Sequence, residues 1–489
     1  MPSTSSKKLP KLCCWLALLV SAAVLFPASA ASQDDLEAAD KRIFQEIREH
    51  NQIMKNLEYL SDHIGPRLTG SEQLEKAVAW ASDLARRYGF ENVHTESWTV
   101  AHSWQRGSAE ARIVAPIVRN LTIASAGWSP GTAGKVRGKV LHVPATNRTD
   151  LQAYAGKLRG ALVVLEHPAD LSWQASSSSD SPGSPIQAPE PPPNRSKLTP
   201  EAEFDRTRMM FFKDQGVAAV LRDSDKSYGL LNMTNAGDHY EASLVPVALL
   251  THEDYGLVWR MLQKGPVEVE ISLSNAFGES PVESYNTVAE IAGSERPDEV
   301  VIICAHLDSW DLASGSTDDG TGVASVMEAG RAIKALGLQP KRTIRIVLFS
   351  GEEQGLVGSR EYVRRHEAEL GKLSAVLADD TGTGRLSTVR LNQNFAAHKL
   401  VDTVLAPMRE LNLIEPGMER FYGSDYASFN DVGVPGFACV GTQSDYYRTH
   451  HSQADTFDKV QEDGVTQAAE LLAGWAYNTA QLPELLPRN

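Results

Sequence analysis

Between residues 36 and 64, apolar side chains at Ile43, Ile47, Met54, Leu57 and Ile64 recur at the spacing of one helical face. The pattern predicts an amphipathic helix. It breaks at Gly65-Pro66-Arg67-Leu68-Thr69-Gly70. Ser71 then stands where a cap should be, opening a second helix to about Tyr88 with Gly89 as its stop. From residue 136 to 273 the period shortens. Segments 138–143, 161–166, 217–221, 245–249 and 267–273 read as short strands punctuated by Gly, Pro and Asn, which predicts a separate β-rich insert. Within it, residues 172–199 carry Ser176-Ser177-Ser178-Ser179 and Pro191-Pro192-Pro193 and read as a mobile surface loop. Beyond residue 286, apolar runs at 300–305, 344–349, 374–378 and 436–440 alternate with helical patterns such as 322–336 and 356–369. Continuous apolar strands alternating with helices predict an α/β fold: a mixed, largely parallel sheet covered by helices on both faces.

Composition narrows the class. A chain of 489 residues, 42% apolar and 22% charged, is too long for one ordinary domain and apolar enough to bury a core. Its formal charge of −15, from 62 acids against 47 bases, argues against nucleic acid as a partner. At the amino terminus Lys7, Lys8 and Lys11 precede an apolar run from 12 to 26, followed by Ala28-Ser29-Ala30. That arrangement predicts a cleaved signal peptide at 1–30 and a secreted or periplasmic protein. The run is about 15 residues, short of the roughly 20 that span a bilayer, so no membrane anchor is expected. Cys13 and Cys14 leave with the signal, and Cys304 and Cys439, inside apolar runs, read as buried thiols rather than a disulfide.

Chemistry enters at the strand ends, where ligands bind in such sheets. The run 300–305 is followed by His306-Leu307-Asp308, and 344–349 by Ser350-Gly351-Glu352-Glu353. The run 374–378 is followed by Asp379-Asp380, and 436–440, after a short loop, by His450-His451. Between the first two lies the acidic turn Ser316-Thr317-Asp318-Asp319-Gly320. Two imidazoles with three carboxylates exceed what one open tetrahedral zinc takes, and suit two ions sharing a carboxylate. Spacing alone leaves Asp379 or Asp380, and His450 or His451, open.

The runs Ala305-His306-Leu307-Asp308-Ser309, Asp318-Asp319-Gly320-Thr321-Gly322 and Ser350-Gly351-Glu352-Glu353-Gln354-Gly355 resemble the secreted di-zinc exopeptidases. That family includes bacterial di-zinc aminopeptidases and the carboxypeptidase Q group. The likeness extends through Gly423-Ser424-Asp425 and His451-Ser452-Gln453-Ala454-Asp455-Thr456. It implies two zinc ions, with Asp318 bridging, His306 and Asp380 on one, and Glu353 and His451 on the other. It implies Glu352 as general base for an attacking water and Asp308 as the group that orients His306. It further implies a catalytic domain in two parts, 31–111 and 281–489, around a protease-associated insert at 112–280, and makes a homodimer plausible. Tyr426 stands where the family often has His. The expected reaction is exopeptidase hydrolysis of short peptides or dipeptides, on the aminopeptidase or dipeptidase side. The alternatives are a carboxypeptidase of the same family and a non-catalytic, receptor-like ectodomain.

Overall fold

Alternate side chains of the central strands enter two different cores. In strand Arg296–His306, Val301, Ile303 and Ala305 join one apolar cluster, while Val300, Ile302 and Cys304 join another on the opposite face. Burial on both sides is what an unbroken apolar run requires. This computed structural model describes residues 32–171, 200–237, 241–278, 281–442 and 446–488; the signal expected at 1–30 and the loop expected at 172–199 lie outside them.

The strand sits in a seven-stranded sheet ordered Glu91–Val100, Val282–Ile291, Arg342–Phe349, Arg296–His306, Leu373–Ala378, Gly436–Gly441, Leu386–Arg390. The middle four strands run parallel, and the remaining pairings are antiparallel. The sheet is therefore mixed, as expected, with its parallel part confined to the centre. Helices Gln33–His50, Glu72–Arg87, Thr321–Ala335 and Glu462–Gln481 cover one face. Helices Val357–Arg365 and Tyr426–Asn430 cover the other.

The helix expected over 36–64 is interrupted. Gln33–His50 ends at Asn51, whose backbone is extended, and a new helix begins at Ile53. Local capping explains the break. The Asn51 amide donates to the Ile47 carbonyl, and the Gln52 N–H donates to Glu328 on helix Thr321–Ala335. The second helix, Glu72–Arg87, begins where Ser71 predicts, its hydroxyl accepting from the Leu74 N–H at 3.2 Å.

A second sheet, of eight strands, is built between Ala109 and Leu273. Its strands Val136–His142, Leu162–Val164, Ala219–Asp223 and Val247–Leu250 run parallel. Helix His252–Leu262 packs on one face through Tyr255 and Val258, and helix Pro200–Gln215 on the other through Met209 and Phe212. The region read as β-rich thus has α/β construction. The second of these helices buries so little of itself that its apolar period is faint in the sequence. Cys304 and Cys439 are buried and unpaired with each other. Among the described residues no helix is long and apolar enough to cross a membrane.

Candidate metal centre

The centre is assembled at the carboxyl ends of the parallel strands. His306 is the last residue of Arg296–His306. Glu352 and Glu353 follow Arg342–Phe349, and Asp380 follows Leu373–Ala378. His450 and His451 follow Gly436–Gly441 across the short helix Tyr446–Thr449. Asp318 reaches the same place from the turn Ser316–Gly320, where the backbone leaves helical geometry at Asp318 (φ −131°, ψ 92°) and Asp319 (φ −122°, ψ 43°). Glycine makes this turn possible twice. Gly315 holds φ +61°, and a Cβ on Gly322 would stand 2.3 Å from both the Asp319 Oδ1 and the Asp379 carbonyl oxygen.

Asp318 divides its two oxygens. Oδ1 lies 3.1 Å from His306 Nε2, and that nitrogen is also 3.8 Å from Asp380 Oδ1. Oδ2 faces the other way, 3.6 Å from His451 Nε2 and 3.9 Å from His450 Nε2. His451 Nε2 lies 2.9 Å from Glu353 Oε2. The donor atoms form two overlapping groups, His306 with Asp318 and Asp380, and Asp318 with His450 and His451, each within 4.8 Å and both containing Asp318. The His450 and His451 rings stack at 3.8 Å, so proximity admits both. His451 is the one that also meets Glu353.

This donor set fits metal ions. Asp318 Oδ2 and Glu353 Oε2 are buried and, although His451 Nε2 lies near both, neither makes a well-formed hydrogen bond, an arrangement that costs free energy unless a cation satisfies them. Burial pushes Glu352 and Glu353 well above the usual carboxylate range. For His306, burial acts against the charged form, but the facing Asp318 and Asp380 overcome it and drive its pKa up. Asp318 is itself drawn down by the surrounding imidazoles despite its burial. A positive charge is demanded at each point where these atoms converge. Mixed imidazole and carboxylate donors are the set that zinc accepts.

The orientation of His306 departs from the sequence expectation in one respect. Its Nδ1 lies 3.0 Å from the Asp308 backbone carbonyl, while the Asp308 carboxylate is 3.7 Å away. A carbonyl can only accept, so Nδ1 carries the proton and Nε2 is turned to the centre. The Asp308 carboxylate instead accepts from the Thr69 hydroxyl at 3.0 Å and from the Glu352 and Glu353 N–H groups at 3.3 Å each. It holds the loop that carries Glu352.

Supporting residues not singled out from the sequence lie inside the motifs already quoted. The Arg67 guanidinium is wholly buried and donates to the carbonyls of Gly65, Leu307, Ser314 and Gly315, fixing the loop between His306 and Asp318. Burial lowers its pKa to about 10 against the pull of Asp455, Asp308, Asp319 and Asp318. Asp455 accepts from the Thr317 N–H and hydroxyl and from the Asp318 N–H, so it positions Asp318. Asp319 is occupied by the His306 and Gly322 N–H groups, and Asp379 by the Thr381 hydroxyl. Both act on their own loops. Asp425 differs, because neither of its buried oxygens has a well-formed partner, and burial raises it to about 7 with the Ser359 hydroxyl offsetting part of the cost. Tyr426 is buried in the apolar cluster on the second sheet face.

Comparison with known proteins finds relatives along nearly the whole chain. The model of peptidase family M28 matches residues 286–476. Carboxypeptidase Q of Rattus norvegicus is 31% identical over 498 residues, covering 96% of this chain and 99% of the relative. The Homo sapiens carboxypeptidase Q is 30% identical over 452 residues, covering 90% of this chain and 87% of the relative. Among solved structures, a peptidase M28 precursor from Shewanella amazonensis superposes with a TM-score of 0.75 at 28% identity, covering 93% of this chain and 99% of the other. An aminopeptidase from Aneurinibacillus sp. strain AM-1 shares the fold at a TM-score of 0.62 and 19% identity, covering 90% of this chain and 95% of the other. With the strand-end cluster in place and relatedness spanning nearly the whole chain, the protein belongs to peptidase family M28 and is a metallo-exopeptidase.

Proposed function

We propose that the protein is a secreted zinc exopeptidase whose two donor groups, both containing Asp318, would hold two ions, and that it hydrolyses dipeptides and short peptides from a free amino end. The observation that carries this reading is the divided Asp318 carboxylate, one oxygen toward His306 and the other toward the histidine pair. His306 and Asp380 would complete one site, and Glu353 and His451 the other. Zinc bound there supplies Lewis-acid polarisation of the scissile carbonyl and of the attacking water.

The chain's own residues supply the proton transfers. Glu352 neighbours a ligand without belonging to either donor group, and its raised pKa suits a base that must also return the proton. It would take a proton from water at its carboxylate and deliver it to the leaving amine. Asp425, a carboxylate with oxygens to spare beside the cluster, would receive the substrate ammonium. The insert at 112–280 would be a protease-associated domain walling one side of the cleft, since its segment after Ala219–Asp223 is hydrogen-bonded to the loop bearing His451. Extracytoplasmic placement follows from the signal pattern at 1–30.

The test is metal analysis of the purified protein beside a panel of aminoacyl anilides, dipeptides and amino-terminally acetylated peptides. Two zincs per chain with cleavage of the unblocked substrates is the expected result. One zinc, or cleavage of acetylated peptides alone, would move the protein to another reading.

A further inference from the structure

Contacts from the insert converge on Trp310, in the loop between His306 and Asp318. Its side chain is 3% exposed and packs in an apolar cluster with Leu68, Trp104, Trp128 and Met233. Trp128 and Met233 belong to the insert, and Trp104 lies in the short strand Trp104–Gln105 that leads into it. Gly127 of the insert sits so close to the ring that a Cβ there would stand 2.8 Å from Trp310 Cζ3. Among the described residues the indole N–H has no hydrogen-bond partner, so packing alone fixes the ring. The next two residues are tied to the same side. The Asp311 carboxylate accepts from Arg106 Nε and Nη2 at 2.6 to 3.0 Å, and the Leu312 N–H lies 3.2 Å from Met233 Sδ.

Trp310 in turn touches two candidate metal ligands. Its backbone N–H donates to Glu353 Oε1 at 3.3 Å, which leaves Oε2 beside His451. Its ring stands edge-on to the His451 imidazole, with centroids 6.0 Å apart. His451 holds φ +52°, a left-handed backbone that a non-glycine residue keeps only where its surroundings fix it. The insert supplies that constraint, since the Met233 N–H donates to the His451 carbonyl at 2.7 Å and the Leu231 N–H to Gln453 Oε1 at 2.8 Å. His306, Asp318 and Asp380 are positioned instead by Asp308, Asp319, Asp455 and Tyr446, all in the catalytic part of the chain.

We infer that Trp310 is a positioning residue through which the insert sets the metal affinity of the Glu353–His451 half of the centre and leaves the His306–Asp380 half unchanged. This rests on the two-ion reading above and gives the insert a task beyond covering the cleft. Ligands held in place before the ion arrives bind it more tightly, because binding need not first order them. Releasing the indole frees the Glu353 carboxylate and the His451 ring together. Asp318 is common to both donor groups, but Asp455 holds it from the catalytic part, so a change at Trp310 reaches one ion only.

The experiment titrates zinc into the chelated full-length chain by calorimetry, with zinc content after dialysis as a second readout. The wild type should take up two ions. In Trp310→Ala one binding event should weaken by about tenfold or more, while the other stays within about twofold. A His451→Ala background identifies the half: there the remaining event should change by less than about twofold when Trp310→Ala is added. Gly127→Ala, which crowds the ring from the insert and touches neither ligand, should weaken the same event as Trp310→Ala. If Trp310→Ala fails to fold, Gly127→Ala and Trp310→Phe give the same comparison. A merely structural role would lower the melting temperature and shift both events together, or neither, and either result overturns the inference while leaving two ions in place. A wild type that binds a single zinc refutes the two-ion reading, and the inference with it.

Discussion

At the scale of single residues, the divided Asp318 carboxylate and the adjacent Glu352 lead to opposite expectations. Glu352→Gln keeps size and a carbonyl but cannot carry a proton. Turnover should fall by about a hundredfold or more, with metal content and melting temperature nearly unchanged. Residual activity above about a tenth of wild type would remove Glu352 from the base role. Asp318→Ala should instead lose bound metal, because both donor groups contain this residue; retention of full metal content after dialysis would show that the two groups are not bridged. His306 and Asp380 were legible because apolar strands lead straight into them, and Asp318, His450 and His451 because they stand in polar segments that follow such runs. The choice between neighbours was not. His450 and His451 both face Asp318, and what separates them, the 2.9 Å approach to Glu353, is a three-dimensional fact. Asp308 was expected to orient His306, but the atom that does so was not legible, since sequence points to a side chain while the structure uses the carbonyl.

At the scale of elements, the Gly65 to Ser71 segment shows how a motif can be recognised before its purpose is seen. Its glycine, proline and capping serine announce a break between helices, and the break is there. Arg67 gives the segment a second task, holding the carbonyls of the loop that leads to Asp318. Arg67→Met should therefore cost about 3 kcal/mol or more, because several buried carbonyls lose charged donors at once. Thermal unfolding of the metal-loaded proteins measures this, and a loss under about 1 kcal/mol would mean that the loop holds its shape unaided. The helix expected over 36–64 failed at Asn51 because its apolar period continues through the break. Only the partner Glu328, far along the chain, reveals why the backbone turns there. In the insert, the strands were legible from their apolar runs. The parallel order was not, since helix Pro200–Gln215 buries too little for its period to register.

At the scale of the whole molecule, the sheet converges negative charge on one edge, and the consequence is a stability that depends jointly on metal and pH. Burial raises Asp379, Asp425 and Asp455 to about 7, and Glu352 and Glu353 also lie well above the ordinary carboxylate range. In the unfolded chain these groups release their protons near pH 4. Between about pH 4 and 7 the metal-free folded state therefore binds more protons than the unfolded state, and its stability must fall as pH rises. His306, raised by its carboxylate neighbours, contributes in the same sense; stability from its charged form is complete below about pH 6.5 and is lost as pH climbs through its folded value. Asp318 works in the opposite sense, but its lowered pKa matters only below about pH 4. His450, lowered to about 3, and His451, also lowered by burial, offset part of the fall below about pH 6.5 but are outnumbered by the raised carboxylates. Chelated protein should thus melt at progressively lower temperature from pH 5 to pH 7.5. Zinc-loaded protein should show a flatter profile, because the ions neutralise carboxylates that would otherwise repel and because metal competes with protons for the same atoms. The gap between the two melting curves should widen with pH. A chelated protein whose melting temperature is flat or rises across that window would show that these carboxylates reach solvent once the metal leaves, and that the closed, negatively charged edge does not persist without its cations.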